Sequence, residues 1–194
     1  SWEDMCDIEI DLPPIEVQQK VVDVYLSMVA NQKAYERGLE DLKIAYEAHI
    51  EDLRRTTSKR TIKDYLYESI ERNIRSDIPI LGVSIEKKFI KAKRDSESYE
   101  NYKVVKNNEF AFRPVLDKMD SSFTIALNTT DNCAVSPAYI VFGTNQEFLL
   151  PKYLMIWLSR KETERWLAFN AWGSARNTID ISDLGNYEIP IPKI

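Results

Sequence analysis

From Val21 to Leu53 the large side chains return at alternating steps of four and three: Val21, Tyr25, Met28, Gln32, Tyr35, Leu39, Leu42, Tyr46, His49 and Leu53. That is a heptad seam held for more than four repeats, with only Gln32 and His49 polar. Pro13-Pro14 stands just before it, where prolines are tolerated in a helix's first turn. The spacing predicts one helix over 14–56, about 40 residues and roughly 60 Å long. A compact body of this chain's mass measures only about 40 Å across. So long a helix must overhang its own globule, which disfavours an amphipathic helix lying on its own domain. The chain offers no second helix of matching length. The seam is therefore expected to pair with a helix from outside the chain, with Gln32 and His49 fixing the register at some cost in stability.

A second feature concerns the two ends. Asp4 to Ile10 and Asp183 to Ile189 match over an offset of 179 residues, and Leu12-Pro13 then falls on Ile191-Pro192. By itself the repeat reads as a possible small internal duplication.

After the basic stretch "RRTTSKR", Thr61 to Arg75 reads as a short helix, with Ile62, Tyr65, Leu66, Ile70 and Ile74 on one face. Strand-like runs follow at 78–85, 102–105, 109–112, 123–127 and 138–142, separated by polar loops such as "EKKFIKAKRDSESYEN". Pro151 opens a helix to about Asn170, with Gly173 as its stop. "TIDI" and "YEIPI" close the chain as extended pieces. The expected class is α+β: a long coiled-coil-forming helix followed by a mixed α/β domain.

Charge is distributed unevenly beneath a net of −5. Residues 1–53 hold 4 Lys/Arg against 13 Asp/Glu, whereas residues 54–118 hold 16 against 10. Association follows the local field, so the acidic total does not exclude a polyanion partner. Lys87, Lys88, Lys91, Lys93 and Arg94 fall within eight residues, and Arg113 and Lys118 flank a later strand. Such clusters suit phosphate contacts with counterion release, and the plain alternative is a solvated loop. In "WGSARNT", Arg176 and Asn177 are side chains suited to bidentate reading of guanine and adenine edges. Here the alternative is a helix C-cap with its arginine in solvent.

Signs of catalysis are sparse. With five glycines there is no phosphate-cradling loop, and the one histidine, His49, sits in the seam. A His-based triad or His-rich metal site is therefore unavailable, and no catalytic or metal-binding residue is assigned. Asp77, Glu86 and Lys88 spell the D…ExK pattern by which some nucleases hold Mg²⁺, but a chain with 29% charged residues produces such a string easily. Cys6 and Cys133 lie too far apart in sequence to suggest a disulfide framework or metal knuckle. No apolar run approaches the roughly 18 residues of a membrane span. A cytoplasmic protein with reduced thiols is expected.

Taken together, the phrases "DIEIDLPPIEVQQKVVDVY", "YKVVKNNEFAFRP", "CAVSPAYIVF", "LLPKYLMIWLSRKETERW", "GSARNTIDISDL" and "YEIPIP" resemble, in this order and over essentially the whole chain, the specificity subunits of type I restriction-modification enzymes. That resemblance implies a target-recognition domain that reads half of a split site in double-stranded DNA. It also implies a spacer helix that pairs antiparallel and docks methyltransferase (modification) subunits, and through them a restriction subunit. The repeated phrase is then one domain-to-helix junction met twice, with residues 1–13 the end of a preceding repeat, 14–56 a spacer helix and 57–194 the domain that follows. No cofactor is implied for this chain; S-adenosylmethionine, ATP and Mg²⁺ would belong to partner subunits. One helix and one domain, where the family has two of each, imply a fragment or half-subunit that self-associates through the helix into a dimer. The alternatives are a Mg²⁺-dependent nuclease using Asp77, Glu86 and Lys88, or a coiled-coil adaptor without DNA contact.

Overall fold

The computed structural model describes residues 2–6, 12–73, 77–92, 101–116, 122–171 and 177–192. They divide into two compact units, 1–56 and 57–194. The first copy of the repeated phrase, at 7–11, lies outside the described residues.

The first unit holds a short helix α1 (Trp2–Cys6) and the long α2 (Ile15–Thr56). The Pro13-Pro14 pair starts α2 as expected. The Pro14 carbonyl accepts from the Val17 and Gln18 amides at 2.8 and 3.1 Å, and Gln18 Nε2 donates to the Pro13 carbonyl. Along the helix Gln19–Asp23 and Gln32–Glu36 make hydrogen bonds four residues apart, and Glu40–Lys43 and Glu51–Arg54 make ion pairs three apart. Each such exposed pair contributes only about 0.2–0.5 kcal/mol. Arg54 and Arg55 meet the negative end of the helix dipole in the last turn. The seam is open to solvent: Val21, Tyr25, Met28, Tyr35, Leu39 and Leu42 are 57–72% exposed. Local pairs of this strength are small beside the apolar surface that α2 presents to solvent.

The second unit is built from short antiparallel strands. Its centre is a four-stranded sheet in the order β2 (Leu66–Glu68), β10 (Ile140–Thr144), β6 (Phe110–Phe112) and β8 (Ile125–Leu127). Phe110 stacks on Phe142 with centroids 4.8 Å apart, and Phe112 packs edge-on against Phe142 and tilted against Phe123. These rings are fully buried, and large planar side chains contribute most of the apolar burial here. Gly143 faces Tyr67 across the sheet, and a Cβ there would fall 2.3 Å from the phenol ring. Glycine is what lets that ring lie over β10.

Around this sheet, β5 (Lys103–Val105) pairs with β9 (Cys133–Val135), and β3 (Leu81–Val83) pairs with β4 (Phe89–Lys91). A bridge between Ile80 and Ala134 joins the two pairs, and Val83, Val105, Ala111, Cys133, Val135 and Val141 form a shared core. β1 (Lys59–Thr61) pairs with β12 (Glu188–Pro190), so "YEIP" returns to the residues that open the unit. β7 (Val115–Leu116) pairs with β11 (Asn177–Thr178).

Three expectations are corrected. The helix expected over Thr61–Arg75 is β1, one 3-10 turn (Lys63–Tyr65) and β2 among its described residues. Ile62 is fully buried where its amide meets the Tyr187 carbonyl, so tertiary pairing overrides a weak helical period. The helix expected from Pro151 to Asn170 is two, α3 (Pro151–Leu158) and α4 (Lys161–Asn170). Ser159 Oγ bonds back to the Met155 carbonyl at 2.7 Å and Thr163 Oγ1 to that of Trp157 at 2.6 Å, competing with the backbone ladder at the break. "TIDI" is extended only at its start. Asp180 then caps α5 (Ile181–Gly185) by accepting from the Asp183 amide, and Asp183 accepts from Asp180 in return.

Candidate nucleic-acid interface

Part of the basic loop is a hairpin. β3 and β4 pair with Val83 opposite Phe89 and Leu81 opposite Lys91. In the turn the Lys87 amide donates to the Ser84 carbonyl, and the Ser84 amide to that of Lys88. Lys87 takes the left-handed conformation, φ 59°, which lysine adopts only when its surroundings hold it there. They do. Lys87 Nζ donates to the Phe123 carbonyl at 2.9 Å and to Glu164 Oε1 at 2.5 Å, and the side chain is 12% exposed. Its charge is neutralised within the body, which takes it out of the set suited to phosphate. Lys87 instead anchors the hairpin to α4.

Lys88 and Lys91 are exposed on the turn and on β4. Arg113 is also exposed; its amide donates to the Thr124 carbonyl, which fixes the residue beyond β6. Asn177 is half-buried, its backbone paired with Leu116. On that ribbon the Ile179 amide meets the Pro114 carbonyl, so Arg113 lies toward the opposite end from Asn177, about 10 Å away along the strands. The structure therefore joins Lys88 and Lys91 on one hairpin and places Arg113 and Asn177 on another ribbon. Lys93, Arg94, Lys118 and Arg176 lie outside the described residues.

Two other lysines of the body are occupied. Lys106 pairs with Glu71 at 2.5 Å, and this hydrogen bond raises its pKa. Lys103 Nζ donates to the Tyr139 carbonyl at 2.7 Å, and burial lowers its pKa. Asp77 precedes β3 and Glu86 lies in the turn after it, so the strand stands between the two carboxylates of the D…ExK string. Among the described residues no group of three or more His, Cys, Asp or Glu is placed to hold a metal ion. No described helix is long and apolar enough to cross a membrane.

Sequence reasoning missed Tyr102 and Tyr139, which line a cleft together with residues of the hairpin. They stand 37 residues apart in strand-like text, and only the β5–β9 pairing brings their segments together.

No protein-family model matches the sequence, and no curated protein matches it. Solved structures do. The chain is similar to the HsdS subunit from Thermoanaerobacter tengcongensis at 14% identity and TM-score 0.44, covering 93% of this chain and 48% of that one. It is similar at 13% identity, with the same TM-score and coverage, to a chain from a structure of the complex assembly and conformational transition of the type I R-M system. The chain thus spans about half the length of the structures it matches.

Proposed function

We propose that this chain is a non-catalytic DNA-recognition subunit of a type I restriction-modification system, reading half of a split site and positioning methyltransferase subunits. One observation carries the reading: a strand-rich body with exposed lysines on a hairpin tied to it follows in sequence on a 42-residue helix whose heptad seam is open. An enzyme needs a convergent set of reacting groups, whereas a recognition subunit needs a cationic surface and a means of assembly. Exposed Lys88 and Lys91 and the open seam of α2 suit the second pair, and the ordered phrases of the sequence resemble this family. In this reading 57–194 is the recognition domain, 14–56 the spacer, and 1–13 the end of a preceding domain. The chain works in the cytoplasm. Lys88, Lys91 and Arg113 hold phosphates, together with Lys93, Arg94 and Lys118, while Arg176 and Asn177 serve a base-reading loop. S-adenosylmethionine, ATP and Mg²⁺ are the business of partner subunits.

Self-association through α2 fits the same account, and seam composition favours the antiparallel arrangement. In full antiparallel overlap Tyr25 meets His49, Met28 meets Tyr46, Gln32 meets Leu42, Tyr35 meets Leu39 and Val21 meets Leu53. No tyrosine then opposes a tyrosine. A parallel in-register pair would stack Tyr25, Tyr35 and Tyr46 each on its own copy and bury Gln32 against Gln32, alternating overfilled and polar layers. An antiparallel pair carries one recognition domain on each chain and joins two weak half-site contacts by effective concentration.

Titrating duplex DNA at several salt concentrations, with and without a partner methyltransferase subunit, tests this. Binding that weakens linearly in log–log form with salt supports the reading. Its absence even in the assembled complex leaves only a helical adaptor.

A further inference from the structure

Beside the hairpin lies a cleft of about 470 Å³, lined by Gly82, Ile90, Lys91, Tyr102, Ser136 and Tyr139 among others. Both rings are mounted on fixed backbone. The Tyr102 carbonyl accepts from the Asn73 amide at 2.7 Å. The Tyr139 amide donates to the Ser136 carbonyl, its carbonyl accepts from Lys103 Nζ, and its hydroxyl accepts from the Val83 amide at 3.3 Å. Tyr139, held at its backbone and its hydroxyl, loses little freedom when a ligand binds beside it. Gly82 keeps the cleft open. A Cβ there would lie 3.8 Å from Tyr139 Oη, so a methyl group fits and a longer side chain must occupy the space.

The lining defines a ligand chemistry. Tyr102, Tyr139 and Ile90 give the lining aromatic and apolar side chains, while Ser136 supplies a polar one. Lys91 adds a cation, and Lys88 sits on the adjoining turn. A nucleobase combines a stacking face with hydrogen-bonding edges and carries a phosphate on its sugar. The volume falls within the range of about 300–1,000 Å³ typical of small-ligand sites. An aliphatic ligand would leave Ser136 and Lys91 unused, and a fully polar one would not match Ile90 and the two tyrosines.

We propose that this cleft holds a single nucleobase, from a DNA strand or a free nucleotide, stacked on Tyr102 and Tyr139 with its phosphate on Lys91. The DNA source rests on the reading of the hairpin as the DNA-facing element. A base seated here would be one lifted from its stack, so the cleft is a second mode of contact beside the phosphate contacts of the hairpin.

The test uses the full chain and two fluorescent probes, a short single-stranded oligonucleotide containing 2-aminopurine and the 2-aminopurine nucleoside monophosphate. The wild-type chain and Gly82→Ala are expected to quench the fluorescence on binding. Gly82→Leu, which fills the cleft, and Tyr102→Ala, which removes a stacking face, are expected to bind about tenfold more weakly. The salt dependence of duplex binding should stay the same in all four. Tighter binding of the oligonucleotide assigns the cleft to a DNA strand, and equal or tighter binding of the monophosphate assigns it to free nucleotide. Wild-type affinity in a folded Gly82→Leu chain overturns the proposal, and if that variant fails to fold, wild-type affinity in Tyr102→Ala does so. Loss of duplex binding by every protein, with quenching still blocked by Gly82→Leu, overturns the DNA reading and leaves the cleft standing.

Discussion

Lys87 Nζ lies 2.5 Å from Glu164 Oε1, linking the turn of the β3–β4 hairpin to helix α4 across 77 residues of sequence. The hairpin that carries Lys88 and Lys91 is therefore tied at its tip to the body. A tied hairpin can hold two cations at a fixed spacing, which phosphate contacts require if they are to set the register of a protein on a duplex.

The first prediction separates that anchor from its neighbours. Lys87→Met leaves Glu164 partly buried without its partner and should cost about 1.5–3 kcal/mol in denaturant unfolding. The salt slope of DNA binding should stay near that of the wild type. Lys88→Ala and Lys91→Ala should do the reverse, leaving stability unchanged and lowering the slope by about one each.

Cys133 gives a pH dependence. Burial pushes its thiol up to about 11 from the ordinary 9.0. Above pH 9 the unfolded chain releases this proton while the folded chain keeps it. The contribution is therefore fully present below pH 9 and is lost as pH rises through about 11, at about 1.4 kcal/mol per pH unit. In Cys133→Ala the fall in stability over that window should be shallower. A thiol reagent should modify exposed Cys6 at once and Cys133 only on unfolding.

Tyr67 and Gly143 make a steric pair. Gly143→Ala places a methyl group inside the phenol ring, and because Tyr67 is 49% exposed the ring can swing outward. The expected loss is about 1–2 kcal/mol, with most of it recovered in the double variant Gly143→Ala/Tyr67→Ala. Burial first, and Glu109 second, raise the Tyr67 pKa. Ultraviolet titration should show one tyrosine moving down in Gly143→Ala.

The helix prediction concerns geometry. In a Cys6→Ser background, Tyr35→Cys with Leu39→Cys should cross-link two chains under mild oxidation, because antiparallel overlap places residue 35 of one copy opposite residue 39 of the other. Cysteines at 25 and 46 should not, because they meet each other only in a shifted antiparallel register and their own copies only in a parallel pair, the arrangement that a cross-link here would reveal. Leu42→Glu should give a monomer by light scattering at tens of micromolar.

Much of this was legible in the sequence. The seam from Val21 to Leu53 announced α2, because a sustained heptad has few competing readings. The runs "YKVV", "EFAF", "FTIAL" and "AYIVF" marked β5, β6, β8 and β10, since continuous apolar text of that length suits a buried strand. What failed depended on distant partners. Ile62, Tyr65 and Leu66 have helical spacing, yet β12 pairs with the residues just before them and β10 draws Leu66 into the central sheet. Lys87 looked like one lysine among five, and nothing near it pointed to Glu164. The cleft was invisible for the same reason, as Gly82, Tyr102 and Tyr139 meet only through sheet pairing.

The central claim, that this chain reads DNA sequence as a paired half-unit, is tested most directly by selecting from a random duplex pool with the full chain at about 150 mM salt. The account predicts enrichment of one short motif occurring twice, in inverted orientation, across a fixed gap set by the helix pair. Retention of duplexes without any enriched motif, or no retention at all, would contradict it.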